Sequence, residues 1–360
     1  MRAGCGLLRA GAFLDGTSAR DSACGRGVPR GGPPVVHVVV GAVLLFALAA
    51  GLCFPALDAG FVYTDRDRIF GYVAADTGVP DQVDPYGGSE SVVPDAREAS
   101  RMSAQRPPLW AECAGLAAQW MGRTPRAYHV FGLALHGAAA VLLYLLILSL
   151  FRFGDGPAPR VRLAAAGLGA GLFAAHPGAA GCAAWLSAMP RVLAVALLLG
   201  SVLLVLRNER RPEPHMLTPG YLAALVLYAA GQLAAPGVLL WFLVPGAAVL
   251  CRPRGPGERA WEPCARVAPF ILVSACAAVL FHRLGGFQFQ AGSFGAARFF
   301  ASVGAYLESL AMVWPLAPVQ PAPAAQGWTG HALAGAAGTA FLALVPARGV
   351  LRRAHPGLCV

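Results

Sequence analysis

Tyr128-His129-Val130-Phe131-Gly132-Leu133-Ala134-Leu135-His136 opens a run that continues as Gly137-Ala138-Ala139-Ala140-Val141-Leu142-Leu143-Tyr144-Leu145-Leu146-Ile147-Leu148-Ser149-Leu150. From 128 to 150 it holds no Asp, Glu or Arg. About 20 apolar residues cross a hydrocarbon core as a helix, and lipid leaves the backbone few alternatives because every N–H and C=O must be satisfied internally. The run therefore reads as a transmembrane helix and sets the fold class: an all-α, polytopic membrane protein.

The whole composition agrees. The chain is 57% hydrophobic and 13% charged, with mean hydropathy +0.58, a balance foreign to a soluble globule of this length. Its net charge of +10 rests on arginine alone. A basic balance can signal nucleic acid, but these arginines lie between apolar runs, so they read as orientation signals in a bilayer, with no nucleic-acid partner implied. The nine cysteines form no C-x-x-C pair, so neither a zinc site nor a disulfide framework is indicated. The layout below leaves Cys113 and Cys182 on one side of the membrane, where they could pair.

Working outward, residues 1–35 are rich in Gly, Arg, Ser and Pro and read as a disordered cytoplasmic tail. Residues 36–347 form the membrane domain, and 348–360 a second cytoplasmic tail. Eight spans are expected, at 36–57, 128–150, 163–176, 191–206, 217–234, 236–250, 267–282 and 331–345. Ala47-Leu48-Ala49 in the first has the look of a cleavage site, but the long preceding tail favours an uncleaved anchor. A ninth apolar segment, 296–314, is expected to dip into the outer face without crossing. Residues 58–127 form a large polar loop with ten acids and seven arginines. Within it 109–121 is too short to span, and its Trp110 and Trp120 suit a helix lying on the membrane surface.

Arginine counts orient this layout. With the N-terminus inside, the inner segments hold 18 arginines and 7 acids, the outer ones 10 and 11. Every inner segment is basic, so both termini are expected in the cytoplasm.

The outer side then collects the candidate site residues. Asp65 and Asp67 in Phe61-Val62-Tyr63-Thr64-Asp65-Arg66-Asp67-Arg68-Ile69 stand where the chain leaves the membrane, and boundary acids facing a cavity are site candidates. As plain loop residues they would simply be solvated. Arg106 before Pro107 is a phosphate contact or a loop charge. His129 opens a span as a site residue or an interfacial anchor. His136, two turns deeper, calls for a structural hydrogen bond. His176 before Pro177 ends the third span, and Arg191 opens the fourth. Gly167-x-x-x-Gly171 suits close helix packing.

These landmarks, in this order, carry a resemblance. An apolar span, Phe61-Val62-Tyr63 with Asp65, a long loop, Arg106-Pro107 and the 128–144 run come first. Leu172-Phe173-Ala174-Ala175-His176-Pro177, Ala184-Trp185-Leu186-Ser187, Ala305-Tyr306-Leu307-Glu308 and Trp314-Pro315-Leu316 follow. Over roughly residues 40–345 the chain resembles the GT-C glycosyltransferases, in particular the membrane domain of the transmembrane and tetratricopeptide-repeat-containing O-mannosyltransferase-like proteins and their bacterial relatives. The chain stops at Val360 without the 34-residue period of such repeats.

The resemblance implies transfer of a sugar from a polyprenyl-phosphate donor, a substrate and not a cofactor, to an acceptor on the outer face, with membrane lipids as surroundings. It points to a bacterial inner membrane. It makes Asp65 and Asp67 the catalytic candidates and Arg106, His129, His176 and Arg191 the donor or phosphate contacts; no metal is implied. The chain also departs from the family's pattern. Thr64 stands at the first acidic position, Gly181 where a glutamate is usual, Met189 for an arginine, Arg191 for an aspartate and Gln232 for a lysine. Shape-determining positions are kept while charged ones are replaced, which fits either a changed substrate or a catalytically inactive scaffold of the same fold. A transporter fits worst, because the inner spans hold almost no ionisable group beyond His136.

Overall fold

The computed structural model describes residues 33–58, 107–122, 124–151, 158–176, 178–179, 185–211, 214–250 and 261–284, with positions 259, 300, 333 and 336–337. Among the described residues every regular element is helical. In chain order these are α1 (Val35–Leu52), α2 (Pro108–Met121), α3 (Pro125–Leu150), α4 (Pro159–Ala175), α5 (Met189–Glu209), α6 (Pro219–Ala234), α7 (Leu243–Leu250) and α8 (Glu262–Arg283). Short 3-10 turns occupy Phe54–Asp58, Leu186–Ala188 and Pro236–Phe242. Proline at the first turn of α3, α4, α5, α6 and α8 starts helices where its missing N–H costs nothing.

Helices stand at seven of the eight expected spans, and the eighth, 331–345, lies almost wholly outside the described residues. Four of them, α1, α3, α5 and α8, are long and apolar enough to cross a membrane. The helix α6 and the 237–250 segment are apolar but shorter, and α4, with Arg160 and Arg162 in its first turn, is 17 residues long. Several boundaries move; the span expected at 163–176 begins at Pro159 and takes in Arg160 and Arg162. The span expected at 191–206 runs from Met189 to Glu209, and that at 267–282 from Glu262 to Arg283. Charged residues assigned to the inner loops are thus the last and first turns of helices.

Two groups of helices build the bundle. In the first, α1, α3 and α4 pack together through Val38, Leu45, Tyr144, Leu148, Ala166 and Ala170. Here α1 and α3 interlock reciprocally. The Tyr144 hydroxyl of α3 lies 2.5 Å from where a Cβ on Gly41 would stand, and the Phe46 ring of α1 lies 2.7 Å from that of Gly137. Each glycine makes room for the other helix's aromatic ring.

The small-residue face of α4 lies one position from where the sequence places it. Gly167 has nothing within 4 Å and Gly171 only Leu45 at 3.8 Å. The buried stripe is Ala166, Ala170 and Ala174, with Gly169 against Ile147. Small residues four apart let helix backbones approach, whether Gly or Ala supplies them.

In the second group, α5, α6, α7, α8 and the 236–242 turn enclose Leu198, Val205, Tyr228, Val249 and Phe270. A polar ladder runs inside it. The Tyr221 hydroxyl donates to the Arg266 carbonyl at 2.6 Å, and the hydroxyls of Tyr228 and Ser274 meet at 2.8 Å. Between them the Phe270 ring stands edge-on to both tyrosines, at centroid distances of 5.7 and 5.1 Å. Contact of α3 with α5 through Ala139, Leu146, Leu199, Val202 and Leu206 joins the two groups. Outward, Val36, Leu44, Leu168, Leu172, Leu272 and Val279 are exposed, as a lipid-facing surface requires.

Candidate functional site

The end of the bundle where α3 and α5 begin and α4 stops holds the histidines. It is built from a turn outward. Gly122, at φ 60°, makes the left-handed step that lets α2 turn into α3, a conformation glycine adopts without penalty. The Tyr128 hydroxyl closes the turn by donating to the Gly122 carbonyl at 3.1 Å. Trp110 and Ala114 of α2 then pack on Tyr128, Leu186 and Met189, and α2 also rests on α6. The amphipathic helix expected at 109–121 is therefore a helix held by one face to the bundle, with Leu116 and Trp120 exposed.

His129 follows Tyr128 and is 1% exposed, yet among the described residues neither ring nitrogen has a hydrogen-bond partner. His136 lies seven residues on, about 20° short of two full turns, so the two histidines share a face of α3. The His136 Nε2–H meets the Ala174 carbonyl at 3.2 Å and its ring stacks near Phe173, with centroids 5.5 Å apart. Ala174 lies in the last turn of α4, where carbonyls have no partner within the helix. His136 thus supplies the missing donor, a structural task, as expected.

His176 caps α4 with an extended backbone. Its Nδ1 accepts from the Gly178 N–H at 3.1 Å, which puts the proton of the neutral ring on Nε2. That Nε2 is buried and has no partner among the described residues. His129 in the first turns of α3 and His176 just past the end of α4 therefore have ring nitrogens without a partner among the described residues, while His136 makes its contact two turns deeper on α3. Arg191 is exposed on the first turn of α5. No described contact joins it to either histidine. Asp65, Asp67 and Arg106 lie outside the described residues.

Two of the positions that depart from the charged pattern of the resembled proteins, Met189 and Gln232, have structural tasks here; Thr64 and Gly181 lie outside the described residues. Met189 is fully buried against Tyr128 and Trp110. Gln232 is also fully buried and donates to the Val238 carbonyl at 3.1 Å, bracing the step from α6 into the 236–242 turn. Cys113, on α2, is a free thiol; Cys182 lies outside the described residues. Burial, and then the Glu112 carboxylate, push the Cys113 thiol above its ordinary pKa. Among the described residues no group of three His, Cys, Asp or Glu side chains is placed to hold a metal ion.

Reading the sequence missed one cluster. Glu209 and Arg266, assigned to inner loops, are buried helix residues paired at 3.0 Å. A carboxylate and an arginine each within a few residues of a long apolar run were the available signal. No protein-family model, curated protein or solved structure matches this chain.

Proposed function

We propose that the chain is a GT-C-like membrane protein that binds a polyprenyl-phosphate-linked sugar at the His129 end and transfers the sugar to an acceptor on the outer face. One observation supports this reading: His129 is buried, and among the described residues neither of its ring nitrogens has a partner. Leaving a buried polar group unsatisfied costs about 1–3 kcal/mol, so such a group is favoured where a ligand completes it. A neutral imidazole offers one donor and one acceptor, and the His176 Nε2–H adds a second donor. Together they suit a phosphate oxygen and a sugar hydroxyl at the edge of an apolar seam. In this scheme Asp65 takes the acceptor's proton as general base, and Arg106 and Arg191 assist at the phosphate.

A second reading, an inactive scaffold of the same fold, is favoured by a separate observation. Met189 and Gln232, at positions where the family has charges, are both built into the packing. Binding tests the first reading. Trp110 and Trp185 both lie at this end, so intrinsic fluorescence can follow titration of the purified protein with polyprenyl phosphate. The parent is expected to bind, and His129→Leu to weaken binding about tenfold, the loss of one hydrogen bond to a charged group. Absence of binding by the parent, or equal binding by the variant, contradicts the proposal.

A further inference from the structure

At the opposite end of the bundle, α5, α6 and α8 meet through charges. The Glu209 and Arg266 side chains, 0% and 5% exposed, pair at 3.0 Å between Arg266 Nε and Glu209 Oε1. Their surroundings are ordered around that contact. Thr218 caps α6 by accepting from the Tyr221 N–H at 3.1 Å and donates to Asn208 Oδ1 at 2.8 Å. Asn208 Nδ2 donates to the His215 carbonyl at 3.3 Å, so the turn from α5 to α6 is stapled beside Glu209. Tyr221 of α6 holds the Arg266 backbone carbonyl at 2.6 Å. Arg210 donates to the Ser149 carbonyl, one of the free carbonyls ending α3. Four helices are therefore tied at one level.

We propose that the Glu209–Arg266 pair is an assembly lock. α5 and α8 each bring one buried charge to this end of the bundle, where an unpaired charge is costly. Docking of α8 beside α5, with α6 between them, brings the two charges together. Docking in another register, or without α6, leaves two buried ions apart. The pair thus makes closure of the second helix group conditional on the correct arrangement. A buried ion pair serves specificity better than stability, because an apolar pair of similar shape holds as well while a single orphaned charge does not.

The proposal predicts strong non-additivity. The full chain is expressed as parent, Glu209→Gln, Arg266→Met and the double variant. For each, the yield of monodisperse protein in mild detergent and its melting temperature are measured. Each single variant is expected to lose more than half of the monodisperse yield and to melt several degrees lower. The double variant, which leaves neither charge unmatched, is expected to return most of the yield and melting temperature. A double variant as poor as the two losses combined overturns the lock, because the residues then act independently. Single variants that match the parent overturn it equally.

Discussion

Two histidines on one face of α3 differ in what meets their ring nitrogens, and that difference separates a structural residue from a candidate ligand. His136 donates to an end carbonyl of α4; His129 has no partner among the described residues. Replacing His136 with Leu removes the donor and strands the Ala174 carbonyl. A loss of about 0.5–2 kcal/mol is expected, the range for hydrogen bonds between membrane helices and for orphaned buried carbonyls. His129→Leu removes an unmet polar group and is expected to leave stability unchanged or raised. Thermal unfolding of both variants in the same detergent checks the pair, and equal destabilisation would contradict the assignment. The sequence could tell that a histidine two turns inside a span needs a partner. It could not say that the shallower histidine is equally buried but lacks a partner among the described residues, because that depends on how the helices pack around the start of α3.

At the scale of elements, hydropathy located the helices but not their phase or their ends. A run of apolar residues is cut at its first charge, so α5 and α8 were each read short of Glu209 and Arg266. Those charges stay in the helices because each neutralises the other across the bundle, a relation between distant parts of the chain. In α4 the glycine spacing suggested one face, while the buried stripe is the alanines one position before. Alanine and glycine are both small enough for the contact, so composition alone does not choose between the faces. Two substitutions separate them. Gly167→Ala meets nothing within 4 Å and is expected to be neutral or to stabilise by up to about 1 kcal/mol through helix propensity. Ala170→Leu forces a large side chain into the α1–α3–α4 contact, and a loss of about 1–3 kcal/mol is expected. Melting temperatures that rank the two the other way would show that the glycine face is the packed one.

For the whole molecule, we propose from the arginine asymmetry and the helix order that the Glu209–Arg266 end faces the cytoplasm and the histidine end the outside. In a background free of the native cysteines, a cysteine at Trp120, 87% exposed, is expected to react with a membrane-impermeant maleimide in intact cells. One at Leu217, 85% exposed, is expected to react only after lysis. The reverse pattern would place the proposed site on the wrong side for an outer-face acceptor. The catalytic claim meets its most direct test in sugar transfer from a polyprenyl-phosphate donor by the purified protein in lipid nanodiscs. Parent, Asp65→Asn and Asp67→Asn are assayed side by side. The account predicts transfer by the parent, a loss of about 10²–10⁴-fold in Asp65→Asn as expected for a missing general base, and a much smaller loss in Asp67→Asn. Parent-level transfer by Asp65→Asn, or no transfer by the parent, would contradict it.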